Sequence, residues 1–320
     1  MADLHGPVAL GEFEMADSLV LLCPGQGAQK AGMGKAWFDA SPAAQAIFEE
    51  ADVILGGTLG LPLSEICFND PNGEINKTNI SQPAIYTCSV ASWHGLREQG
   101  LEGEVVATAG LSLGEYTALH LAGVFSFEEG LRLVAERGQR MQTAAEAEIS
   151  TMIAVMGDDE IALALCNEAK EGDEILVAAN FNAPGQTVLS GSVAACDRVA
   201  TLAESKGVRA TPLSVAGAFH SPFMASAAEG MRIALSEVAL QPPKIDVWSN
   251  VTAELHDSST IADCLVKQIT DSVRWSQSCS AMAKRYDSCS WHELAPSGVL
   301  RGLMRRITRE VKVEAHNEPH

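Results

Sequence analysis

A short apolar segment, residues 104–109, runs directly into Gly110-Leu111-Ser112-Leu113-Gly114, and a helical pattern follows over residues 115–122. This order of strand, G-x-S-x-G and helix constrains the fold more than any other feature, because the turn lifts a serine hydroxyl clear of a buried strand. The starting helix directs N–H groups and the positive end of its dipole toward that hydroxyl. The pattern favours a nucleophilic Ser112 in an α/β fold. A serine in an ordinary glycine-rich turn is the alternative.

A second structural unit begins near residue 150, where the apolar pattern changes. Its predicted order is strand, helix, strand, strand, helix, strand, at residues 151–156, 158–170, 175–181, 186–190, 193–206 and 209–213. This β-α-β-β-α-β order is typical of a ferredoxin-like domain. We therefore predict a discontinuous large α/β domain (18–149 and 214–312), a ferredoxin-like small domain (150–213), and tails at 1–17 and 313–320.

A serine nucleophile needs a base, and the chain has eight histidines. His120 follows Ser112 on the same predicted helix, about 12 Å away along the helix axis, which is too far for a hydrogen bond. His220 lies in the small-residue loop Ala216-Gly217-Ala218-Phe219-His220, where the chain re-enters the large domain. Loops between domains often hold catalytic side chains, so His220 is the favoured base. A structural role for this histidine stays open at this point.

Two further features have both a functional and an ordinary interpretation. Arg137 lies on an otherwise apolar helix, and a buried arginine that faces a cleft would need an anion. A surface arginine on an amphipathic helix is the alternative. The turn Pro24-Gly25-Gln26-Gly27 follows the first predicted strand and either aims a backbone N–H into a cleft or simply connects strand to helix. It matches no phosphate-binding pattern.

Charge and cysteine usage exclude several classes of protein. The formal net charge of −19 disfavours nucleic-acid binding. The sequence contains no apolar run of 18 residues, so we predict no membrane span. The eight cysteines form no CxxC pair and no zinc-finger spacing, so we predict reduced thiols in a reducing compartment and no metal site. One basic run stands out near the C-terminus and is either a solvated helix face or a docking surface for an acidic partner: Arg301, Arg305, Arg306, Arg309 and Lys312.

Eight segments, taken together and in order, resemble the malonyl-CoA:acyl-carrier-protein transacylase family. They cover about residues 18–311 and are PGQGAQKAGMG (24–34), SQPAIY (81–86), GLSLGEYTAL (110–119), LRLVAERGQRMQ (131–142), NFNAPGQTVLSG (180–191), AGAFHSPFM (216–224), SNV (249–251) and ELAPSGVL (293–300). Leu111 stands where most members have histidine, as in members similar to plant and algal plastid enzymes. The segment from Glu293 to Leu300 also departs from the family's glycine pattern.

The resemblance implies a fold and a set of site residues. The fold would be an α/β-hydrolase-like large domain with an inserted ferredoxin-like domain. Ser112 would be the nucleophile and His220 its base, with the imidazole oriented by the main-chain carbonyl of Asn250. The remaining roles would be an oxyanion hole from the N–H groups of Gln26 and Leu113, a carboxylate contact from Arg137, and pocket positions at Gln82 and Phe219.

The resemblance also implies an activity: transfer of a malonyl group from malonyl-CoA to the phosphopantetheine thiol of an acyl carrier protein. Phe219 would select malonyl over methylmalonyl groups. No cofactor would be required, a monomer is expected, and the location would be a plastid stroma in a photosynthetic eukaryote and otherwise the cytoplasm. A transacylase of polyketide synthesis, a hydrolase acting on acyl carrier proteins and a non-catalytic docking subunit are the alternatives.

Overall fold

The computed structural model describes residues 17–319, so the predicted N-terminal tail lies outside the described residues except for Asp17. The described strands are β1 (Ser18–Cys23), β2 (Glu104–Gly110), β3 (Ser150–Met156), β4 (Leu176–Ala183), β5 (Gln186–Ser192), β6 (Arg209–Pro212), β7 (Asp246–Trp248), β8 (Ser290–Glu293) and β9 (Val313–Ala315). The helices are α1 (Lys35–Ala40), α2 (Pro42–Leu55), α3 (Leu63–Asn69), α4 (Thr78–Glu98), α5 (Gly114–Leu121), α6 (Phe127–Ala147), α7 (Asp159–Ala169), α8 (Val193–Ser205), α9 (Ala225–Ser236), α10 (Ile261–Gln268), α11 (Trp275–Arg285) and α12 (Val299–Ile307).

The large domain is built on a parallel five-stranded sheet in the order β7-β2-β1-β8-β9. Strand β1 is central, and its residues from Leu19 to Cys23 are all buried, as expected for a parallel strand that helices cover on both faces. The carboxyl ends of β1 and β2 lie side by side, with Cys23 paired to Gly110. Ligands of open α/β sheets usually bind at this edge.

The small domain has an antiparallel sheet in the order β4-β5-β3-β6, with α7 and α8 connecting its strands. Its own apolar core includes Ile153, Leu165 and Val199. This β-α-β-β-α-β arrangement confirms the predicted fold class of an α/β domain with a ferredoxin-like insert.

The C-terminal end differs from the sequence prediction. Helix α12 ends at Ile307 rather than near residue 311, because Thr308 already has extended backbone (φ −149°, ψ 148°). The predicted tail from residue 313 is wrong in its first part, since Val313–Ala315 pair with Trp291–Glu293 as edge strand β9. A three-residue strand is too short to show an alternation of apolar and polar residues, so the sequence alone could not predict it. Its pairing with β8 defines it.

The two domains meet along the cleft at the carboxyl ends of β1 and β2. Backbone hydrogen bonds join β4 to the segment before α11, from Phe181 N to Val273 O at 2.9 Å and from Val273 N to Ala179 O at 2.8 Å. Arg306 on α12 donates to the carbonyls of Pro184 and Gly185 in the β4–β5 turn. Within residues 17–319, no helix is long and apolar enough to cross a membrane.

Candidate active site

Ser112 lies on the sharp turn between β2 and α5. Its backbone is left-handed, with φ at 53°, and it is held there by a hydrogen bond from its N–H to Asn250 Oδ1 at 2.6 Å. The glycines of the motif are required by close approach: a Cβ at Gly110 would lie 1.9 Å from the Gly114 carbonyl, and one at Gly114 would lie 2.1 Å from the Cys23 oxygen. The turn thus places the Ser112 hydroxyl at the cleft.

His220 reaches Ser112 from the loop that returns from the small domain. Its Nε2 lies 2.8 Å from Ser112 Oγ, and its backbone is also left-handed, with φ at 56°. Its Nδ1 lies 2.6 Å from the Gln268 carbonyl oxygen, which can only accept, so Nδ1 carries the proton and Nε2 accepts from the serine. This is the tautomer that a general base needs.

The residue that orients His220 differs from the prediction. The sequence resemblance assigned this role to the main-chain carbonyl of Asn250, but that carbonyl accepts from Arg274 N at 2.8 Å. The Asn250 side chain instead braces the nucleophile turn, since Oδ1 accepts from Ser112 N and Nδ2 donates to Gly110 O at 2.7 Å. Asn250 therefore lies at the site, but it stabilises the nucleophile turn and does not orient His220.

Gln268, which sequence reasoning missed, connects the site residues. Its side chain is fully buried, with Oε1 accepting from Arg137 Nη2 at 2.8 Å and Nε2 donating to the Ser112 carbonyl at 2.8 Å and to Glu115 Oε2 at 2.5 Å. Glu115 also pairs with His256 Nε2 at 2.6 Å. Burial lowers the pKa of His256, but hydrogen bonds to Cys264 and then to Glu115 outweigh it and raise the pKa to about 9, which favours an ion pair with Glu115. The sequence offered one signal for Gln268: a polar residue at the end of a short amphipathic helix, on the helix's apolar face.

Arg137 is 1% exposed and points at the serine. Nη2 donates to Ser112 Oγ at 3.0 Å, and Nη1 donates to Gln82 Oε1 at 2.7 Å. Nε has no hydrogen-bond partner, and among the described residues no carboxylate forms an ion pair with this guanidinium. Gln82 is itself fully buried behind Arg137, so it orients the arginine rather than lining the pocket as the resemblance implied. A buried cation whose partners are all neutral favours an anion beside it.

A cavity of about 500 Å³ opens over these residues, between the two domains. Ser112, Arg137, His220 and Gln26 line it, as does Phe219, whose carbonyl is fixed by Ser190 Oγ at 2.5 Å. Leu113 is buried beneath, immediately after the serine. Within residues 17–319, the backbone N–H groups of Gln26 and Leu113 donate to no other protein group. Two N–H groups beside the serine are therefore available to a ligand oxygen.

The cavity favours a neutral His220. Burial, reinforced by the nearby Arg137 cation, lowers the pKa of His220 from 6.5 to about 4, while its bond to the Gln268 carbonyl opposes this shift. The imidazole is then unprotonated at neutral pH and free to accept a proton. A buried serine, a neutral histidine and unpaired N–H donors in one interdomain cavity are the features of a serine acyltransferase.

Comparison with known proteins also indicates an acyltransferase and identifies the family within that class. A family model for the acyl transferase domain matches residues 20–310. The malonyl CoA-acyl carrier protein transacylase of Bacillus subtilis is 35% identical over 304 residues, covering 94% of each chain. The crystal structure of the Clostridium perfringens transacylase superposes with a TM-score of 0.87 at 32% identity, again over 94% of each chain.

A second similar structure is a malonyl transacylase solved in complex with a type II polyketide acyl carrier protein. It has a TM-score of 0.87 and 33% identity, covering 94% of this chain and 96% of the other. The chain belongs to the malonyl-CoA–acyl carrier protein transacylase family and is an acyltransferase.

Proposed function

We propose that the protein transfers a malonyl group from malonyl-CoA to the phosphopantetheine thiol of an acyl carrier protein, through an ester on Ser112. One observation carries this proposal: the Ser112 hydroxyl lies 2.8 Å from His220 Nε2 and 3.0 Å from Arg137 Nη2. A nucleophile, its base and a buried cation that could pair with the free carboxylate of the malonyl group thus meet at one oxygen. That set suits an acyl chain that ends in a carboxylate.

The first half-reaction begins when Ser112 Oγ attacks the thioester carbon of malonyl-CoA. His220 Nε2 takes the hydroxyl proton, and the C–S bond then breaks as the same proton passes to the leaving CoA sulfur. The Gln268 carbonyl keeps Nδ1–H in place throughout. In the second half-reaction the carrier thiol attacks the ester by the reverse sequence, so the chemistry consumes no redox equivalent and requires no cofactor.

The negative charge that develops on the acyl oxygen needs donors that do not have to reorganise. The backbone N–H groups of Gln26 and Leu113 fit this role, because Gln26 lines the cavity and Leu113 directly follows the nucleophile at the start of α5. The glycine-rich turn after β1 and the nucleophile turn are adjacent: a Cβ at Gly25 would lie 2.2 Å from the Leu111 oxygen. That contact supports an oxyanion hole shared between the two turns.

Arg137 is the proposed partner of the malonyl carboxylate. Its Nε has no hydrogen-bond partner, and a bound carboxylate could also accept from Nη2 in place of the present contact to Ser112 Oγ. Gln82 accepts from Nη1 and Gln268 from Nη2, and these two amide oxygens fix the plane of the guanidinium. Phe219 also lines the cavity, which supports the implied selection of malonyl over bulkier substituted groups.

Intact-mass measurement tests the proposed function directly. The protein is mixed with malonyl-CoA, quenched in acid and weighed, with acetyl-CoA and the Ser112→Ala variant as controls. We expect a malonyl adduct on the wild-type chain only, and much less acetyl adduct. Release of CoA without an adduct would instead indicate a hydrolase, and neither adduct nor CoA release would leave a non-catalytic docking subunit.

The identity of the carrier protein is a separate question. A relative from polyketide biosynthesis in Bacillus subtilis is 36% identical over 294 residues, close to the 35% of the transacylase from the same organism. Polyketide synthesis is therefore the second candidate role. Comparing kcat/KM for a fatty-acid carrier and a polyketide carrier at equal phosphopantetheine loading separates the two.

We propose a docking surface for the acidic carrier protein on and after α12. Arg301, Arg305, Arg309 and Lys312 line a depression of about 450 Å³, a concentrated positive surface on a chain of net charge −19. Arg306 is excluded from this surface because its guanidinium bonds to Gln186 and the β4–β5 turn. Long-range attraction to this surface would accelerate encounter with the carrier and weaken with salt.

The double variant Arg305→Glu, Arg309→Glu is expected to raise the carrier-protein KM about tenfold at low salt, because like charges then oppose docking. Acylation of Ser112 by malonyl-CoA should stay at the wild-type rate. Arg232→Glu on α9 is the matched control, as Arg232 is exposed and outside the depression. An unchanged carrier KM at low salt would rule this surface out.

We also propose a reducing compartment for the protein. The eight cysteines are all free, and six of them are buried. Plastid stroma would be the compartment if the chain comes from a photosynthetic eukaryote.

A further inference from the structure

A second cluster of ligand-type side chains lies at the edge of the large sheet, outside the acyl cavity. His292 on β8 is in register with Glu314 on β9, and His316 follows Glu314 by two residues. Paired residues of parallel strands point to the same face. His316 lies one residue beyond β9, but its N–H donates to the Glu293 carbonyl at 3.0 Å, so the pairing with β8 extends to it. The three side chains therefore converge on one side of the β8–β9 pair.

The geometry of this cluster is close to that of a coordination site. One ligand atom from each of His292, Glu314 and His316 lies within 4.8 Å of those from the other two. His292 Nδ1 and His316 Nε2 are 2.8 Å apart, and their rings stack with centroids 5.1 Å apart. Both imidazoles are buried, at 5% and 2% exposure, whereas Glu314 is open to solvent. A cation could thus enter from the carboxylate side.

The His292 imidazole has unused capacity as a ligand. Its Nε2 is buried and has no hydrogen-bond partner in the described part of the chain. A buried polar atom without a partner is costly, and such atoms in folded proteins call for an explanation.

We propose that His292, Glu314 and His316 form a binding site for a divalent transition metal, with Zn²⁺ as the natural occupant. Two imidazole nitrogens and one carboxylate oxygen are a donor set that zinc accepts, with a water as fourth ligand. Magnesium and calcium prefer oxygen donors alone and fit poorly here. The sequence predicted no metal site because His292 and Glu314 are distant in sequence and only the β8–β9 register brings them together.

The position of the site indicates a structural role. Strand β9 is a three-residue edge strand, held otherwise by its pairing to β8 and by the bond from Trp37 Nε1 to the His316 carbonyl at 3.0 Å. A metal bound across β8 and β9 would fasten this strand to the sheet. None of the three ligands lines the acyl cavity, so the metal would take no part in acyl transfer and the inference is independent of the proposed function.

Calorimetric titration of tag-free, full-length protein with Zn²⁺ tests the site, with Co²⁺ absorption as a second readout of coordination. We expect saturable binding of one Zn²⁺ per chain and a rise in Tm with metal, because only the folded state presents the site. The variant Glu314→Gln should raise Kd about tenfold or more, as should His292→Gln. Glu310→Gln is the matched control, since this exposed carboxylate lies beside the cluster without joining it.

The outcomes are distinguishable without an activity assay. Absence of saturable binding at millimolar Zn²⁺ would overturn the proposal. Equal binding by the wild type, Glu314→Gln and His292→Gln would also overturn it, because the metal would then be held elsewhere. His292→Gln is a buried change that risks misfolding, so Glu314→Gln, which keeps size and lies at the surface, carries the decisive comparison.

Discussion

Replacement of His220 by alanine is expected to lower kcat/KM for malonyl transfer by about 10⁴- to 10⁶-fold, the range seen when a serine enzyme loses its base. The reason is geometric, since no other imidazole among the described residues contacts Ser112 Oγ. Steady-state transfer and the rate of adduct formation on Ser112 both measure the loss. His94→Ala on the exposed side of α4 is the control and should behave as wild type. A loss below tenfold would mean that His220 is not the base.

The pH dependence of the wild type gives the same test without a mutation. His220 acts as a base only when neutral, and its pKa lies at about 4. The rate should therefore stay level as pH falls through 6.5 and decline only as pH approaches about 4. An acid limb at the ordinary pKa of 6.5 would contradict the buried, neutral imidazole.

The free energy of unfolding should also fall as the pH falls from 6.5 toward 4. The unfolded chain protonates His220 near its usual pKa of 6.5 and the folded chain near 4. Between these values the unfolded state binds more protons, so this histidine makes stability fall as pH falls.

Replacement of Arg137 by alanine is expected to abolish the preference for malonyl over acetyl groups. Two charge-assisted hydrogen bonds to the substrate carboxylate are worth about 1.5–3 kcal/mol each, so kcat/KM for malonyl-CoA should fall about 10²- to 10⁴-fold. Acetyl-CoA has no carboxylate to lose, and its rate should change little. Intact-mass time courses with both donors measure the ratio.

Matched variants sharpen the test of Arg137. Arg132→Ala on the same helix removes an exposed arginine paired to Glu128 and should leave selectivity unchanged. Arg137→Lys keeps the charge but not the planar fork, so selectivity should be intermediate. An equal loss with both donors would show that Arg137 serves Ser112 or the fold instead. Removing this cation should also shift the acid limb of His220 to higher pH.

The sequence predicted those parts of the site that depend on local pattern. Ser112 was found because strand, glycine turn and helix are adjacent in the chain, and His220 because a small-residue loop follows the inserted domain. Gln268 was missed because its contacts are long-range: Arg137 is 131 positions away in sequence and Ser112 is 156 positions away. Its main-chain contact to His220 could be made by any residue type, so no side chain marks the position, and the family resemblance had implied the Asn250 carbonyl instead.

The fold shows the same division between local and long-range determinants. The β-α-β-β-α-β insert and the main strands were predicted because each has apolar residues at its own period and turn residues at its ends. Strand β9 was missed, because three residues give no period and the edge pairing with Trp291–Glu293 is a long-range choice. The Glu115–His256 ion pair was missed for the same reason, with 141 positions between its partners.

The left-handed backbone at Ser112 and His220 has a consequence for protein engineering. Strained positions of this kind cost about 1–3 kcal/mol each, and glycine relieves the strain. Selection for heat resistance alone would therefore favour glycine at Ser112, where only a small side chain is lost, but not at His220, where a buried imidazole would leave a cavity. A thermostability screen of this chain without an activity filter would enrich well-folded variants that can no longer accept an acyl group.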